Sequence, residues 1–461
     1  MQLNTEQKRA LDNFIDFLSS SDQIFILKGH AGTGKTTLIK EFINYLNNIN
    51  QTPVLMASTG RAANVLNKKT LFSSNTVHRV IYRLIDISVD ESKEIKFMEF
   101  GLQSSQDPQN TVYIVDESSM LSNKKQERFN LKYGSGMLIQ DLITYIDNRK
   151  IIFVGDPCQL TPINTAYSHA LSIDFFKTKL GKSCRESKLT QVVRYSSNSG
   201  IFANTSHLRT LIENNQALSN PVIFANKYSD IHVYNSEEQL INYYCSLATT
   251  KGIDQLCFIA NSNNKVAEIN RSIRRILWKK QTYKLNVGEP LLVMQNNYLY
   301  NLNNGDLVEV IKVSDEVETR AGLTFRDAVI QTFLNEGMVL INCKILDTLL
   351  NSTTVGLVDE QEGKLYIDFI VRMKGKNINV KSREFYDALL KDQYMNALRV
   401  KYGYAMTCHK AQGGEWKHIF AVFEPYMFTV LPKDQLHRWL YTALSRAEKQ
   451  LHLANNYCIK R

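Results

Sequence analysis

The stretch Gly29-His30-Ala31-Gly32-Thr33-Gly34-Lys35-Thr36 follows the apolar run Ile24–Leu27 and precedes a helical pattern that begins at Thr37. A strand, a glycine loop and a helix in this order let backbone N–H groups and a helix N-terminus surround phosphates, with a lysine and a Mg²⁺-binding hydroxyl beside them. The sequence therefore predicts a nucleoside triphosphate site. The residues expected to line it are Gly29, Ala31, Gly32, Thr33, Gly34, Lys35, Thr36 and Thr37.

The composition is that of a globular protein with a basic excess. The chain has 461 residues, of which 44% are hydrophobic and 22% charged, so we expect about two to four compact domains. There are 55 Lys and Arg against 45 Asp and Glu, which gives a net charge of +10. This excess favours a polyanionic partner such as nucleic acid, although simple solubility explains basic residues spread along the chain equally well.

Cysteine usage and the start of the chain bear on location. The seven cysteines are odd in number and widely spaced, without a C-x-x-C pair, which argues against a disulfide framework or a zinc knuckle. Residues 1–6 lack the basic and apolar regions of a signal peptide, and no run approaches the roughly eighteen apolar residues of a transmembrane helix. We therefore expect no membrane partner and an intracellular location, either cytoplasmic or associated with the nucleoid.

Short apolar strands alternate with helices in two parts of the chain. This pattern predicts a parallel sheet with helices on both faces in each part, and a ligand at the carboxyl ends of the strands. The first part comprises a helix over residues 5–18, the strands Ile24–Leu27, Pro53–Ala57, Val112–Val115 and Ile151–Val154, and the helices Thr36–Leu46, Arg61–Leu66 and Lys132–Ile146. The second comprises the strands Leu256–Ala260, Ile419–Phe423 and Leu451–Ala454 and the helices Lys265–Lys279 and Asp434–Leu444.

Two stretches interrupt this alternation. Residues 83–110 are polar but hold Phe97 and Phe100, and they predict an inserted hairpin. Residues 286–395 carry strand-like runs and an Asn-Gly turn, which is a strong hairpin signal, so we expect a small β-barrel there. The turn and two of the runs are Asn303-Asn304-Gly305-Asp306, Met338–Ile341 and Leu365–Val371.

Polar residues follow two of the apolar strands of the first part. At the edge that holds the glycine loop, Asp116 can bind Mg²⁺ and Glu117 can orient and deprotonate an attacking water; a strand-end turn with solvated acids is the alternative. Gln159 can hydrogen-bond either the γ-phosphate or that water. A simple glycine turn would explain the neighbouring Gly155-Asp156-Pro157 equally well.

These blocks resemble motifs I, II and III of the superfamily 1 helicases, and the remaining motifs of that family follow in order over nearly the whole chain. Ala57–Ala63 resembles motif Ia, and Thr76–Arg79 resembles the adjoining block that contacts the DNA strand. Motifs IV, V and VI are resembled, in this order, by Leu189–Tyr195, Tyr404–Trp416 and Tyr441–Ala447. Three stretches are similar to those of one branch of the family, the phage Dda, bacterial RecD and Pif-type helicases. They are Thr407–Gly413, Val293-Met294-Gln295 and Asn304-Gly305-Asp306.

The resemblance implies an α/β fold of two RecA-like P-loop domains with two insertions. It assigns residues 1–195 to the first domain (1A), with an inserted pin (1B) at about 83–110. Residues 196–285 and 396–461 form the second domain (2A), and residues 286–395 form an inserted SH3-like β-barrel (2B). The implied activity is ATP-dependent translocation 5′ to 3′ on single-stranded DNA, with unwinding of duplex DNA.

The resemblance also assigns roles to single residues. Gln7 reads adenine, Glu415 contacts the ribose, and Arg194 and Arg446 reach the γ-phosphate as arginine fingers when the domains close. The implied catalytic residues are Lys35, Asp116, Glu117, Gln159, Arg194 and Arg446, with Thr36 and Asp116 as Mg²⁺ ligands. The implied DNA contacts are Thr59, Gly60, His78, Thr407 and His409.

The implied cofactors are ATP and Mg²⁺, and the implied partners are single-stranded DNA and forked or tailed duplex DNA, bound by a monomer. Single-strand-binding or replication proteins are further expected partners. In the pin, Phe97 or Phe100 can stack on the last base pair as a wedge, whereas packing of both in the insertion's own small core is the equal alternative.

Two other functions stay open. One is an ATP-dependent single-strand translocase or remodeller that does not unwind processively. The other is a structural P-loop protein that no longer hydrolyses ATP, and the joint presence of Lys35, Glu117, Gln159, Arg194 and Arg446 argues against it.

Overall fold

Two parallel β-sheets form the two α/β parts of the fold, as the alternation of strands and helices predicts. The computed structural model describes residues 3–90, 95–125, 131–162, 165, 167–195, 198–279, 282–334, 337–352, 354–380 and 382–460. All elements given below belong to this part of the chain.

The first part holds the glycine loop. Its elements are α1 (Thr5–Ser19), β1 (Ile24–Gly29), α2 (Lys35–Asn48), β2 (Thr52–Ala57), α3 (Gly60–Thr70), β3 (Ser74–Thr76), α4 (Val77–Ile81), β4 (Tyr82–Asp90), β5 (Ile95–Leu102), β6 (Thr111–Asp116), β7 (Leu131–Tyr133), α5 (Leu138–Ile146), β8 (Lys150–Gly155), α6 (Ile173–Leu180) and β9 (Cys184–Leu189). The parallel sheet has the order β3-β2-β6-β8-β1-β9. Because β6, β8 and β1 are parallel neighbours, their carboxyl ends meet at one edge.

Apolar residues cover both faces of this sheet. In β1, Ile24–Leu27 are buried throughout, as is typical of a strand with helices on either side. On one face α1 and α2 meet through Phe14 and Phe42, whose stacked ring centroids are 4.0 Å apart. The Phe42 ring also meets Phe25 of β1 edge-on, with ring centroids 6.3 Å apart, so the helix that follows the glycine loop packs against the strand that precedes it.

The second part begins after residue 195. Its elements are α7 (Gly200–Glu213), β10 (Ile223–Phe224), β11 (Ile231–Tyr234), α8 (Glu237–Lys251), β12 (Leu256–Ala260), α9 (Asn263–Trp278), β13 (Pro290–Val293), β14 (Leu307–Val313), β15 (Glu318–Arg320), β16 (Leu323–Leu334), β17 (Gly337–Leu346), α10 (Asp347–Leu350), α11 (Asp359–Lys374), α12 (Arg383–Lys391), β18 (Val400–Tyr402), β19 (Ala405–Thr407), α13 (Cys408–Ala411), β20 (Trp416–Ala421), α14 (Met427–Val430), α15 (Lys433–Leu444), β21 (Ala447–Ala454) and β22 (Ile459–Lys460). The second parallel sheet has the order β11-β21-β20-β12-β19.

Antiparallel structure occupies both stretches that interrupt the alternation. Strands β4 and β5 pair as an antiparallel hairpin. In the longer stretch, β15-β16-β14-β13-β18 form an antiparallel sheet, with β17 added on β16. Strand β18 lies beyond residue 395, where the sequence places the end of the insertion, yet it pairs with β13.

The hairpin packs on the helices of the inserted segment. Leu84 of β4 and Met98 of β5 contact the apolar core that α11 and α12 share. The Tyr386 hydroxyl donates to an Asp86 carboxylate oxygen at 3.3 Å. The two insertions therefore support each other.

Two predicted elements are wrong. The helix predicted over Lys132–Ile146 begins only at Leu138, because Leu131–Tyr133 is a strand and Gly134 and Gly136 turn the chain with φ of 42° and 83°. Leu365–Val371, predicted as a strand, lies inside α11. Its apolar residues have helical spacing, and the periodicity of the longer segment decides the structure.

Candidate functional site

The glycine loop joins β1 to α2 and is closely packed. Gly32 and Gly34 have φ of 78° and 80°, a left-handed conformation that glycine adopts without strain. A Cβ atom on Gly32 would lie 2.9 Å from the Cβ of Arg194, so the loop touches the segment after β9. Lys35 Nζ donates to the carbonyls of Gly29 at 2.7 Å and His30 at 3.0 Å, which holds the ammonium in the mouth of the loop.

Gln7 connects α1 to this loop. Its backbone N–H and side-chain oxygen complete a capping box with Asn4, which fixes the start of the helix. Its Nε2 donates to the carbonyl of Thr33 at 3.0 Å. The structure therefore brings Gln7 to the loop, while its contact with adenine stays a prediction.

Paired acids stand at the end of β6. Burial and the negative charge of Glu117 raise the pKa of Asp116 to about 7. Glu117 has a left-handed backbone with φ of 50°, and its Oε2 is buried without a hydrogen-bond partner among the described residues. Two crowded carboxylates and the Thr36 hydroxyl are the oxygen donors that Mg²⁺ prefers, so these residues fit the ion.

The raised pKa of Asp116 predicts a pH dependence of stability. Without nucleotide and Mg²⁺, the free energy of unfolding should fall as the pH rises from about 4 to about 7, because the folded carboxyl holds a proton that the unfolded one has released. Thermal unfolding of the wild type and Asp116→Asn over this range measures the effect. The difference between their Tm values should change within the window and level off above it; parallel curves would contradict the assignment.

Asp156 and Gln159 follow β8 at the same edge. Asp156 is fully buried and accepts from the Tyr441 hydroxyl at 2.7 Å and from the backbone N–H of Cys158 at 2.9 Å. Burial opposes the charge, but the His30 side chain and the charge of Lys35 hold the pKa of Asp156 well below its usual range. The Gln159 Oε1 is buried and unpartnered among the described residues.

Tyr441 joins the glycine loop to the second part, a role that sequence reasoning missed. Its hydroxyl accepts from the N–H of Ala31 at 3.0 Å and donates to Asp156. In the next residue, the Thr442 hydroxyl accepts from the N–H of Leu160 at 3.0 Å. The available signal was the position of Tyr441 in the motif VI block, since no local pattern specifies a contact across two sheets.

Arg194 and Arg446 meet at Ser445. Arg194 donates to the carbonyl of Ser445 at 3.3 Å, and Arg446 donates to its hydroxyl at 3.0 Å. Arg446 also donates to the carbonyls of Thr442 at 3.0 Å and Gly414 at 3.3 Å. The structure thus brings together the two predicted arginine fingers, one from each part of the chain.

Glu415 lies between two basic residues of the first part. It pairs with Lys69 at 2.6 Å and with the guanidinium of Arg194. Burial opposes its charge, but Arg194 and Lys69 hold the pKa of Glu415 at about 2. The sequence did not predict that Glu415 pairs with Arg194 and Lys69. The contact of Glu415 with the ribose stays a prediction.

Motif Ia packs on the turn of the inserted sheet. Thr59 caps α3 by accepting from the N–H of Ala62 at 3.2 Å. A Cβ atom on the buried Gly60 would lie 3.0 Å from Oδ1 of Asp306, and Asn64 donates to the same oxygen at 2.8 Å. The start of α3 therefore contacts the Asn-Gly turn, and its contacts with DNA stay predictions.

The other three predicted DNA contacts lie on short elements. The His78 ring packs against the rings of Tyr82 and Tyr133 at 5.7 and 5.4 Å, and burial lowers its pKa to about 4. Burial also lowers the pKa of His409, and Thr407 is the N-cap of α13. Burial therefore favours the neutral form of both histidines, which suits hydrogen bonding and stacking better than charge pairing.

Phe100 is not at the tip of the hairpin, and its prediction as a wedge is wrong. It is 4% exposed, and its ring stacks on Tyr133 with centroids 4.6 Å apart. The apolar contacts at the base of the hairpin explain this burial. Phe100 therefore packs in the core of the insertion, which was the alternative to a wedge. The side chain of Phe97 lies outside the described residues.

Comparison with known proteins agrees with this arrangement. Residues 2–219 match an AAA domain family, and residues 402–454 match the UvrD-like helicase C-terminal domain. RecBCD enzyme subunit RecD of Buchnera aphidicola subsp. Schizaphis graminum is 24% identical over 98% of this chain and 73% of its own. The ATP-dependent DNA helicase Dda of Enterobacteria phage T4 is 24% identical over 67% of each chain.

A solved structure shares the fold. The Pif1 helicase from Bacteroides in complex with ADP-AlF3 and single-stranded DNA is 15% identical, with a TM-score of 0.51 over 99% of this chain and 93% of its own. The two parallel sheets are thus the cores of two RecA-like domains. Among the described residues, no helix combines the length and apolar character needed to cross a membrane. The chain belongs to the superfamily 1 helicases, in the group of the RecD, Dda and Pif1 proteins.

Proposed function

We propose that this protein is an ATP-dependent DNA helicase that moves 5′ to 3′ on single-stranded DNA and unwinds duplex DNA. The observation that carries the proposal is the position of Arg194, which lies against the glycine loop at Gly32 and donates to the carbonyl of Ser445, next to Arg446, in the second RecA-like domain. A motor of this type needs such a site, because closing and opening of the cleft converts hydrolysis into movement. The direction rests on the family resemblance.

The proposed domains follow the two sheets. Residues 1–195 form domain 1A with a pin at about 83–110, which the β4–β5 hairpin supports. Residues 196–285 and 396–461 form domain 2A. Residues 286–395 form an SH3-like barrel, which the antiparallel pairing of β13 to β17 supports.

The proposed residue roles combine the family resemblance with the positions of the residues in the cleft. Lys35 binds the β- and γ-phosphates, and the backbone N–H groups of the loop surround them. Thr36 and Asp116 would hold Mg²⁺, which when bound neutralises charge on the phosphates. Glu117 and Gln159 position the attacking water, since each has a buried oxygen without a partner among the described residues. Gln7 and Glu415 complete the nucleotide site at adenine and ribose.

The proposed DNA track runs over motifs Ia and V. Thr59, Gly60, His78, Thr407 and His409 contact phosphates, sugars and base faces, which gives binding without sequence preference. The partners are single-stranded and forked or tailed duplex DNA, and the helicase works as a monomer. The net charge of +10 supports binding to a polyanion.

Strand displacement on two tailed duplexes tests the function. With ATP and Mg²⁺, the protein should unwind a duplex with a 5′ single-stranded tail and not one with a 3′ tail. Lys35→Ala should lose the activity, because the ammonium that contacts the phosphates is gone. Unwinding of the 3′-tailed duplex alone would overturn the direction. Hydrolysis stimulated by DNA without unwinding of either would favour a translocase or remodeller.

Phe97 is the remaining candidate for the wedge. Phe97→Ala should abolish unwinding of the 5′-tailed duplex and leave DNA-stimulated ATP hydrolysis intact, because stacking on the last base pair is needed only for strand separation. Phe100→Leu, which keeps an apolar side chain in the hairpin core, is the matched control and should unwind normally. Full unwinding by Phe97→Ala would place the wedge elsewhere.

A further inference from the structure

Three buried side chains between the glycine loop and the end of β8 have no role in the proposed hydrolysis. His30 is the second residue of the loop, and Asp156 and Cys158 follow β8. A ring nitrogen of His30, a carboxylate oxygen of Asp156 and the sulfur of Cys158 all lie within 4.8 Å of one another. No other group of three or more such ligands occurs in the part of the chain that the structure describes.

The buried ring of His30 lies between two carboxylates. Its Nε2 lies 3.2 Å from Oε1 of Glu213. Its Nδ1 is buried, has no hydrogen-bond partner among the described residues, and lies 3.8 Å from Oδ1 of Asp156. A metal ion between this nitrogen and the Asp156 carboxylate would give both atoms a partner.

We propose that His30, Asp156 and Cys158 bind a transition-metal ion of the Zn²⁺ class. Imidazole, carboxylate and thiolate are the ligands of Zn²⁺, whereas Mg²⁺ prefers oxygen donors alone. With the metal on Nδ1, the Glu213 carboxylate, 3.2 Å from the other ring nitrogen, would supply the contact that metal-bound histidines usually make. The metal bonds to the Cys158 sulfur, the thiol proton passes to solvent, and a water completes four ligands.

The metal would join the glycine loop to the motif III segment. Ala31, which follows His30, already donates to Tyr441, and Asp156 accepts from the same hydroxyl. An ion bound to His30 and Asp156 therefore fixes the loop in the arrangement described here. This site is separate from the proposed Mg²⁺ site at Thr36 and Asp116.

Titration of the full chain with Co²⁺ after chelator treatment tests the site without reference to ATP hydrolysis. We expect saturation at one Co²⁺ per chain, with the visible absorption of a tetrahedral ion and a near-ultraviolet thiolate charge-transfer band, both removed by Zn²⁺. Cys158→Ser should lose the charge-transfer band. Glu213→Gln should keep it but weaken metal binding by about 10-fold to 100-fold. Cys184→Ser, which removes a more exposed thiol, should behave as the wild type.

Circular dichroism separates loss of metal from loss of fold in each variant. Absence of a charge-transfer band in the wild type would overturn the proposal. An unchanged band in a folded Cys158→Ser would overturn it as well. Neither result touches the helicase function, which the tailed duplexes test independently.

Discussion

Arg194→Lys should reduce DNA-stimulated ATP hydrolysis by about 10³-fold to 10⁵-fold, the range for loss of an arginine finger. Arg194 lies against the glycine loop at Gly32 and donates to Ser445 across the cleft. A lysine keeps the charge but loses the planar fork that holds two acceptors at once. Steady-state hydrolysis with saturating single-stranded DNA measures the loss, and the affinity for ADP should change little because the γ-phosphate is absent.

The control for Arg194→Lys is Arg275→Lys, the same exchange at an exposed position of α9. It should hydrolyse ATP at the wild-type rate. A loss below 10-fold in Arg194→Lys would show that Arg194 is a structural partner of Glu415, and Arg446 would then be the finger that acts on the γ-phosphate.

Glu117→Gln should lower the turnover of ATP by about 10²-fold to 10⁴-fold, which is the typical contribution of a general base. The amide keeps the size of the side chain but cannot take a proton from water. Because Glu117 Oε2 makes no hydrogen bond among the described residues, the exchange breaks no contact described here. Single-turnover hydrolysis and fluorescent ADP binding, measured together, separate chemistry from affinity.

The control for Glu117→Gln is Glu238→Gln, on the exposed face of α8. It should leave turnover unchanged. Weakened nucleotide binding by Glu117→Gln with turnover preserved would assign Glu117 to the Mg²⁺ site in place of Asp116.

Local patterns were sufficient to predict the elements that depend on neighbouring residues. The strand, glycine loop and helix around Lys35 are confirmed because turn chemistry and burial there are encoded within a few residues. The prediction that a helix starts at Lys132 was wrong because Lys132 pairs with Glu99 of β5, a contact that local spacing does not encode. The strand predicted over Leu365–Val371 was wrong because a short apolar run fits either a strand or a buried helix.

Contacts between distant parts of the chain could not be predicted. The family resemblance named Arg194, Arg446 and Glu415, but the Arg194–Glu415 pair and its extension to Lys69 depend on how the two domains meet. The packing of Gly60 on the turn at Asp306 could not be predicted either, because it follows from the position of the inserted sheet. Sequence supplies the residue types, and tertiary packing decides their partners.

The hydroxyls of Tyr441 and Thr442 help to hold the cleft shut. Together they make three hydrogen bonds to the first domain, at Ala31, Asp156 and Leu160. At about 0.5–1.5 kcal/mol each, these bonds favour the shut cleft over an open one by roughly 10-fold to 10³-fold before nucleotide arrives. Opening, more than closing, is then the slow conformational step, and single-molecule distance measurements across the cleft should find the nucleotide-free protein mostly shut.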